Sequence, residues 1–390
     1  MASLSIINRV KYSKSIFRLY NFLGSLLITL LKCFLRPDDK LIIFASFGGR
    51  KYDDSPKAIY EAMINDSRFD DFKLVWAFMH PEQIEIPRGE KVKIDTLSYY
   101  KILLRAKVWV HNSSMNRGLS FKGINVFELN TWHGSAIKRM GGDINEGNSS
   151  FSLKSSKRNN GVLLAQGQFD VDVFSRAFQM PVSCFKIIGL PRNDVLAHTC
   201  HGDKTRLKKL LGIDPAKKVI LYAPTFREYE KDNRNNCIMT PPMNMNKWKA
   251  ILGENYILLF RAHYEVAKLM GVNDDDFVKN VSAYPNLEEL MIASDMLISD
   301  YSSIFFDYAI LKRPMLCFDY DYDRYEKERG MYFDIRDYLP HANNEDELLK
   351  LILSERLTQD SVPTMSFLSK FVTAYGSASK KSLDIIIENI

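Results

Sequence analysis

Short apolar runs alternate with stretches of helical spacing along most of the chain, and this alternation begins near residue 40. Polar and turn-forming residues bound the runs, as they bound the buried strands of a sheet. Strands that alternate with helices favour an α/β fold with mainly parallel sheets. We predict strands at 41–46, 73–79, 108–111, 126–130, 162–165, 185–188, 219–222, 256–260, 296–299 and 314–318, and helices that include 56–64, 169–178, 286–293 and 303–311.

The length of the chain indicates more than one domain. A chain of 390 residues is too long for a single domain, because domains average roughly 150 residues. The segment 189–194, Gly-Leu-Pro-Arg-Asn-Asp, places turn-forming residues between a predicted strand and a polar stretch. We therefore predict two domains with a boundary near residue 195 and one set of strands on each side.

Net charge is concentrated at the amino-terminal end. Residues 1–36 contain six Lys and Arg residues and no Asp or Glu, so they carry the whole formal net charge of +6. The remaining residues hold 47 basic and 47 acidic side chains. A basic amino-terminal segment on an otherwise charge-balanced chain indicates a local anionic partner, either nucleic acid or a lipid surface.

The spacing within residues 1–36 favours the lipid surface. One helical face holds Lys, Arg, Asn, Ser and Thr at 11, 14, 18, 21, 25, 29, 32 and 36, and the other holds Ile, Leu, Tyr and Phe at 16, 19, 20, 23, 26, 27, 30, 31 and 34. This pattern is typical of a helix that lies in a membrane interface. A nucleic-acid partner would not require the leucines, so no nucleic acid is expected.

Besides an interfacial helix, this segment could be a transmembrane helix, a secretory signal or a helix that packs on the protein itself. The uncharged run 19–31 has 13 residues, which is short of the roughly 20 that a transmembrane helix needs. Residues 33–37 make a poor cleavage site for a secretory signal. An amphipathic helix that docks on the protein's own core is the remaining alternative.

Common signatures of metal, nucleotide and hydrolase chemistry are absent from the sequence. The five cysteines are scattered singly without a C-x-x-C pair, which argues against a zinc site and fits a reducing cytosol. No G-x-x-x-x-G-K-[ST], G-x-G-x-x-G or G-x-S-x-G is present. The acidic run 319–323 is interpreted as a loop instead of a metal site. No cofactor is therefore assigned, and a divalent cation is left open without a clear site.

The segment 296–312 carries the most specific phosphate signal. A predicted strand ends at residue 299, and Ser302 and Ser303 stand where the next helix begins. Free backbone N–H groups and hydroxyls then meet at the carboxyl edge of the sheet, where α/β proteins bind phosphates. An ordinary serine N-cap is the alternative. Asp307, one turn further on, faces either this site or solvent.

Two histidines follow predicted strands in the same way. His133 lies in Asn-Thr-Trp-His-Gly-Ser in the first half of the chain, and His263 ends Arg-Ala-His in the second half. An imidazole can take a proton from an alcohol near neutral pH, and Arg261 adds a fixed cation for an oxyanion. Each histidine alone is equally well explained by a structural role, but the two together favour catalysis.

The order of these motifs resembles the CDP-glycerol glycerophosphotransferase family of teichoic acid and capsule synthesis. The resemblance covers nearly everything after residue 40, and Ser135-Ala136 departs from it, because the family commonly has Thr-Pro there. The segments that carry it are SFGGRKYDDSPKAIYEAM at 46–63, NTWHGSAIKRMGGD at 130–143, GLPRND at 189–194, YAPTFRE at 222–228, RAH at 261–263, SDYSSIFFDYAILKRP at 299–314 and DYDRYEKERG at 321–330.

The resemblance implies a GT-B-like architecture of two Rossmann-like domains with the active site in the cleft between them. The expected division is a basic amphipathic membrane-interface helix at 1–36, an acceptor-side domain at 37–195 and a CDP-glycerol-binding domain at 196–390. The last helix is left free to pack back on the first domain. The resemblance also implies a peripheral, monotopic enzyme on the cytoplasmic face of the cell membrane, held by the anionic lipid surface.

The resemblance further implies an activity and the residues that perform it. Glycerol phosphate would pass from CDP-glycerol to a hydroxyl of a lipid-linked saccharide or of a growing teichoic acid or capsule polymer, with release of CMP. The expected catalytic residues are His133, as the base, and His263, beside the diphosphate. The expected substrate-binding residues are Gly134, Ser135, Arg192, Pro224, Thr225, Arg261, Ser302, Ser303 and Asp307.

Three alternatives stay open at this point. CDP-ribitol is an alternative donor, because no motif in the sequence identifies a pocket that distinguishes glycerol from ribitol. The fold alone also suits a glycosyltransferase that uses a nucleotide sugar. A non-catalytic membrane adaptor is the third alternative, and the intact histidines, Arg261 and paired serines argue against it.

Overall fold

The computed structural model of the protein describes residues 14–121, 125–144, 161–225, 227, 241–262, 274–354 and 361–390. Within them the chain forms two parallel β-sheets, each accompanied by helices. This arrangement confirms the predicted α/β fold with parallel sheets.

Among the described residues, the first sheet has seven strands in the order β3-β2-β1-β4-β5-β6-β7, and all neighbouring pairs are parallel. The strand order reverses between β1 and β4, and ligands of such sheets bind at this kind of switch point. The elements are α1 (Lys14–Lys32), β1 (Asp38–Ala45), α2 (Asp54–Met63), β2 (Lys73–Phe78), β3 (Glu90–Lys93), α3 (Leu97–Arg105), β4 (Ala106–His111), β5 (Phe127–Asn130), β6 (Gly161–Ala165), α4 (Gln168–Ala177) and β7 (Phe185–Ile187).

The second sheet, as far as the structure describes it, has six parallel strands in the order β10-β9-β8-β11-β12-β13. Its switch point lies between β8 and β11. The elements are α5 (Asp194–Ala197), α6 (His201–Leu210), β8 (Lys218–Tyr222), α7 (Met245–Leu252), β9 (Tyr256–Phe260), β10 (Val278–Asn280), α8 (Leu287–Ala293), β11 (Met296–Ser299), α9 (Ile304–Ala309), β12 (Met315–Phe318), α10 (Tyr322–Arg329), β13 (His341–Ala342), α11 (Glu345–Leu353), α12 (Val362–Phe371) and α13 (Ala378–Glu388).

All ten predicted strands are present, although several begin or end at other residues than predicted. Three further strands, β3, β10 and β13, were not predicted. They are short, and β3 has the sequence Glu-Lys-Val-Lys with only Val92 buried. Such strands lack the continuous apolar run by which a buried strand is recognised.

The hydrophobic core lies on both faces of each sheet, because successive side chains of a strand point to opposite faces. In β1, for example, Ile42 belongs to one cluster and Ile43 to the cluster on the other face. The last helix, α13, contributes Leu383 and Ile386 to the cluster that contains Ile42. The carboxyl-terminal end of the chain therefore packs on the first sheet. Residue 195, the predicted boundary, lies within α5.

Helix α1 docks on the first unit through Ser25 and Ile28. Ser25 Oγ accepts a hydrogen bond from Ser120 N at 2.8 Å, and Ile28 is buried against Leu104 and Leu119. The opposite edge exposes large apolar side chains: Ile16, Leu19, Tyr20, Phe22, Leu23, Leu26, Leu27, Leu30 and Phe34. The helix is thus docked on the protein through one side, where Leu31 of the apolar stripe also packs, while most of the stripe stays exposed.

No helix within the described ranges is long and apolar enough to cross a membrane.

A short antiparallel bridge joins the two units. Lys138 pairs with Met331, and Tyr332 N donates a hydrogen bond to Ile137 O at 2.8 Å. The bridge connects the segment that follows β5 to the segment that follows α10.

Arg192 makes a second connection between the units. Its guanidinium donates to Asp54 Oδ2 at 2.7 Å and to Asp307 Oδ2 at 2.8 Å. Asp54 begins α2 beside the first sheet, and Asp307 lies in α9 beside the second. The three side chains are at most 10% exposed. Burial opposes the charge of Arg192, but Asp307 and Asp54 outweigh this effect and raise its pKa.

Removing the Arg192 side chain should destabilise the fold by about 3–5 kcal/mol, because Asp54 and Asp307 would be left buried without a counter-ion. Urea unfolding of Arg192→Ala measures this loss. The matched control is Arg68→Ala, which breaks surface ion pairs with Asp66 and Asp384 and should cost about 1 kcal/mol or less. Equal stability of the two variants would contradict the role given to Arg192.

Candidate active site

Asn112 lies directly after β4, beside the switch point of the first sheet. Its side-chain Oδ1 accepts a hydrogen bond from Phe47 N at 2.7 Å, in the loop that follows β1. Its backbone carbonyl accepts a hydrogen bond from His133 Nδ1 at 2.9 Å. One residue therefore fixes both the loop after β1 and the histidine that follows β5.

The hydrogen bond from Nδ1 sets the protonation of His133. A carbonyl oxygen only accepts, so Nδ1 carries the hydrogen and Nε2 keeps its lone pair. The ring stacks on Trp132, with the ring centroids 4.2 Å apart. The side chain keeps access to solvent, but partial desolvation by the surrounding protein lowers its pKa. The imidazole is therefore neutral at pH 7 and can accept a proton at Nε2.

Gly134 brings the histidine loop against the second unit. A Cβ atom at this position would lie 3.0 Å from Ser303 Oγ and 3.4 Å from Arg192 Nη2. The backbone φ of 136° also favours glycine. The carboxyl edges of the two sheets face each other here, and we call the space between these edges the cleft.

Three of the predicted substrate-binding residues, Ser135, Arg192 and Asp307, belong to one buried polar network. Gln166 Nε2 donates to Ser135 Oγ at 3.0 Å, and Gln166 Oε1 accepts from Asn193 Nδ2 at 2.9 Å. Asn193 Nδ2 also donates to Asp307 Oδ1 at 2.6 Å. Burial raises the pKa of Asp307, against the influence of Arg192 and Asn193.

The network gives these residues a role in holding the walls of the cleft. Both ion pairs of the Arg192 guanidinium are made within the protein, and the Ser135 side chain is buried. Direct contact of these three residues with a substrate stays a prediction.

Pro224 and Thr225 follow β8 at the carboxyl edge of the second sheet. Thr225 N donates to both carboxylate oxygens of Asp300, at 2.9 and 3.1 Å. The Thr225 hydroxyl is buried and has no hydrogen-bond partner within the described part of the chain. Because a buried hydroxyl normally has a partner, this one is available to a ligand.

Arg227 fixes the same loop from within the protein. It forms ion pairs with Asp300 and Asp321, both at 2.8 Å. Its guanidinium lies over the rings of Tyr301 and Tyr325, 5.1 and 4.9 Å from their centroids. Asp321 comes from the acidic run at 319–323, and the structure makes it a partner of this arginine.

Ser302 and Ser303 stand immediately before α9. Ser302 Oγ accepts a hydrogen bond from Ile304 N at 3.3 Å. Ser303 occupies the N-cap position, but its side chain makes no capping hydrogen bond. The hydroxyl of Ser303 instead lies at the cleft, beside Gly134. Ser303 therefore does not act as an ordinary serine N-cap, which was the alternative interpretation of the sequence.

Arg261 follows β9 at the same edge. Its Nη1 donates to the carbonyl oxygens of Val281, at 3.1 Å, and Tyr284, at 2.7 Å. These bonds fix the guanidinium. Burial lowers the pKa of Arg261, while Glu288 and Asp53 act in the opposite direction. An arginine nevertheless stays charged at neutral pH. His263, two residues further on, lies outside the described residues.

Two residues of the cleft and its walls, Asn112 and Arg227, were not predicted from the sequence. Asn112 could have been found, because it directly follows a predicted strand at a sheet edge. Arg227 lies in the motif YAPTFRE, but nothing in the sequence shows that its charge is buried.

Across the residues that the structure describes, no group of three or more His, Cys, Asp or Glu side chains is placed to hold a metal ion.

Comparison with known proteins connects this site to a family. The family model for CDP-Glycerol:Poly(glycerophosphate) glycerophosphotransferase matches residues 27–388. This range contains both sheets and every predicted site residue.

Two curated relatives are equally similar in sequence to this chain but differ from each other in length. The teichoic acid poly(glycerol phosphate) polymerase of Staphylococcus epidermidis is 33% identical over 316 residues, which cover 77% of this chain and 43% of that protein. The teichoic acid glycerol-phosphate transferase of Staphylococcus aureus is 33% identical over 324 residues, which cover 78% of this chain and 80% of that protein. The chain therefore spans less than half of the first relative and most of the second.

A solved structure of the wall teichoic acid polymerase TagF has the same fold. It superposes with a TM-score of 0.83 at 29% identity, and the match covers 97% of each chain. Together with the family match, this similarity confirms the resemblance seen in the motifs: the chain belongs to the CDP-glycerol:poly(glycerophosphate) glycerophosphotransferase family.

Proposed function

We propose that this chain is a GT-B-like CDP-glycerol glycerophosphotransferase. It moves glycerol phosphate from CDP-glycerol to a hydroxyl of a lipid-linked saccharide or a growing teichoic acid or capsule polymer and releases CMP. Family membership supports the proposal. The observation that carries it is a neutral histidine, with Nε2 free to accept a proton, at the point where the carboxyl edges of both sheets meet.

In the proposed reaction, the acceptor oxygen attacks the β-phosphorus, which carries the glycerol. The bond from this phosphorus to the oxygen shared with CMP breaks, and CMP leaves with the electron pair. His133 Nε2 takes the proton of the acceptor hydroxyl. Alignment and stabilisation of the phosphoryl oxygens are the remaining requirements of such a transfer.

The second sheet offers the groups that would stabilise this charge. Arg261 supplies a guanidinium held by two backbone carbonyls, and Ser303 supplies a hydroxyl free of capping. The buried Thr225 hydroxyl lies on the neighbouring strand end. Because such donors are fixed before the substrate arrives, they need no reorganisation during the reaction.

Helix α1 supports attachment to the cytoplasmic face of the cell membrane. Its exposed edge carries leucines and phenylalanines turned away from the docking contacts at Ser25 and Ile28. Contiguous exposed apolar surface of this kind marks an interaction site. Apolar side chains would enter the acyl boundary, and Arg18 and Lys32, which flank the apolar run, would lie near lipid phosphates. The cleft would then lie close to a lipid-linked acceptor.

Replacing His133 with Ala should lower turnover by about 10²–10⁴-fold, because a general base acts in the transition state. The dissociation constant for CDP-glycerol should hardly change. Steady-state release of CMP and equilibrium binding of the donor measure the two effects. His201→Ala, at an exposed position, is the control and should behave as wild type. If His133→Ala weakened donor binding as much as turnover, His133 would belong to the donor pocket.

Replacing Arg261 with Ala should raise the KM for the donor by about ten- to a hundredfold, because a charge-assisted hydrogen bond contributes about 1.5–3 kcal/mol. Ser303→Val tests the same diphosphate position from the segment that follows β11, and it should also raise this KM. The comparison includes CDP-ribitol and a nucleotide sugar as donors. Arg206→Ala, an exposed arginine, is the control. Unchanged KM in both site variants would refute the diphosphate position.

Replacing Leu23, Leu26 and Leu30 with Ser should weaken binding to anionic vesicles by about a hundredfold or more, because each buried leucine contributes about 1.5 kcal/mol. Co-sedimentation at several salt concentrations measures the binding. Salt should weaken wild-type binding as well, since cations near lipid phosphates contribute about 1 kcal/mol each.

The matched control for the membrane prediction replaces three exposed aliphatic residues away from α1, Leu210, Ile251 and Leu353, with Ser. This variant should bind vesicles as wild type does. If both triple variants lost binding equally, or if neither lost binding, α1 would not be the attachment site.

A further inference from the structure

The loop that follows β1 contains three consecutive residues in the left-handed region of backbone conformation. Phe47, Gly48 and Gly49 have φ angles of 49°, 64° and 81°. The glycines adopt these angles without steric cost, whereas a bulky side chain makes them unfavourable. Such strain persists only where the surrounding structure imposes it, and it is concentrated at functional sites. Position 47 thus carries an aromatic residue where a glycine would suit the backbone better.

The end of the neighbouring strand β4 holds these strained residues in place. Phe47 N donates to Asn112 Oδ1 at 2.7 Å. Gly48 N donates to Ser113 Oγ at 2.9 Å. The backbone carbonyl of Asn112 also accepts the hydrogen bond from His133 Nδ1, at 2.9 Å. The strained residue and the candidate base are therefore fixed by the same residue, which keeps them side by side.

The Phe47 ring lies against the imidazole of His133. The two ring centroids are 6.1 Å apart and the ring planes are tilted by 56°, within the range of about 4.5–7 Å in which aromatic rings interact. Trp132 stacks on the same imidazole, with the centroids 4.2 Å apart and the planes at 28°. Because Trp132 covers one face of the imidazole, Phe47 contacts another side of it. Nε2 remains for the cleft.

Core packing does not explain the aromatic residue at position 47. None of the hydrophobic clusters formed by the described residues includes Phe47, and its side chain is half-buried. Besides the imidazole, the ring faces Lys51, whose Nζ lies 6.0 Å from its centroid. Trp132, by contrast, packs on Phe174 and Phe178. The contact with His133 is therefore the one that accounts for a bulky ring on a strained backbone.

We infer that Phe47 is a positioning residue for His133, whose ring limits the movement of the imidazole and shields it from water, so that Nε2 stays directed at the acceptor hydroxyl. One hydrogen bond at Nδ1 leaves the imidazole free to swing about that bond, and Trp132 opposes this movement on one face. Phe47 opposes it from another side. This inference rests on the proposed role of His133 as the base.

The electrostatics of His133 agree with a shielding ring. Burial lowers its pKa, and the charges of Arg192 and Lys138 act in the same direction. The hydrogen bond at Nδ1 and the charge of Asp54 act in the opposite direction. Replacing Phe47 changes none of these charges. It should admit water to the imidazole, which favours the protonated form and raises the pKa towards its ordinary value.

Histidine Cε1–H NMR titration of the full-length protein measures the pKa of His133, whose signal is identified by its absence from His133→Ala. Phe47→Ala should raise this pKa towards about 6.5. The same variant should lower kcat for CMP release about ten- to a hundredfold, because small displacements of a reacting group are costly, and leave the dissociation constant of CDP-glycerol unchanged. The loss of kcat should persist at about pH 8.5, where His133 is neutral in both proteins. Phe47→Leu, which keeps an apolar side chain, should lose less.

A glycine at position 47 separates positioning from stability. Phe47→Gly removes the ring and the backbone strain together, so it should unfold at a higher temperature than Phe47→Ala. It should nevertheless lose as much kcat as Phe47→Ala. The matched control is Lys312→Gly, which relieves a φ of 58° in the turn before β12, at the sheet edge opposite the cleft. This control should leave kcat unchanged.

The possible failures are distinguishable. If Phe47→Ala leaves the pKa of His133 or kcat at its wild-type value, or if Phe47→Gly regains kcat along with stability, the inference about Phe47 is overturned. If wild type releases no CMP from CDP-glycerol, or if His133→Ala keeps full turnover, the proposed function is wrong instead. The NMR titration needs no substrate, so it decides in either case whether Phe47 shields the imidazole.

Discussion

The buried pairing of Arg192 with Asp54 and Asp307 is the interaction on which the geometry of the cleft depends. Asp54 has a backbone φ of 65°, a conformation that costs a non-glycine residue about 1–3 kcal/mol. Its two carboxylate oxygens compensate, since one accepts from Ser55 N at 2.5 Å and the other from Arg192. A buried ion pair adds little net stability over an apolar replacement. Its consequence here is to fix where α9, with Ser303 before it, lies relative to the histidine loop.

The protonation of His133 is set by the backbone, and it therefore follows from the fold. The acceptor for Nδ1 is a main-chain carbonyl, which every residue at position 112 would supply. The position of this carbonyl relative to His133 is determined by the pairing of β4 with β5, in which His111 lies opposite Asn130. Thr131 N continues this pairing by donating to His111 O at 2.8 Å. The register of these two strands thus places His133 so that Nδ1 is hydrogen-bonded and Nε2 is free.

Much of the fold could be predicted from the sequence, because buried parallel strands leave continuous apolar runs. Strands β3, β10 and β13 escaped prediction because they are short and, in β3, largely exposed. The site was harder to predict for a different reason. A motif shows which side chains follow a strand but not what they contact, so it could not show that Arg192 and Asp307 pair with each other. Likewise, the helical periodicity of α1 could not show that Ser25 docks while the leucines stay exposed.

The loop that follows β4 connects the edge where α1 docks to the candidate base. Asn112 begins this loop and holds His133, Ser113 Oγ accepts from Gly48 N at 2.9 Å, and Ser120 N binds Ser25 of α1. The described part of this loop, residues 112–121, is held near both of its ends, which restricts its conformations already in the free protein. The distance between the exposed leucines of α1 and Nε2 of His133 is therefore fixed by the protein and does not depend on a flexible linker. If α1 attaches to a lipid surface as proposed, this fixed distance would select which hydroxyl of a lipid-linked acceptor meets His133, because only groups at the matching height above the lipid would reach it.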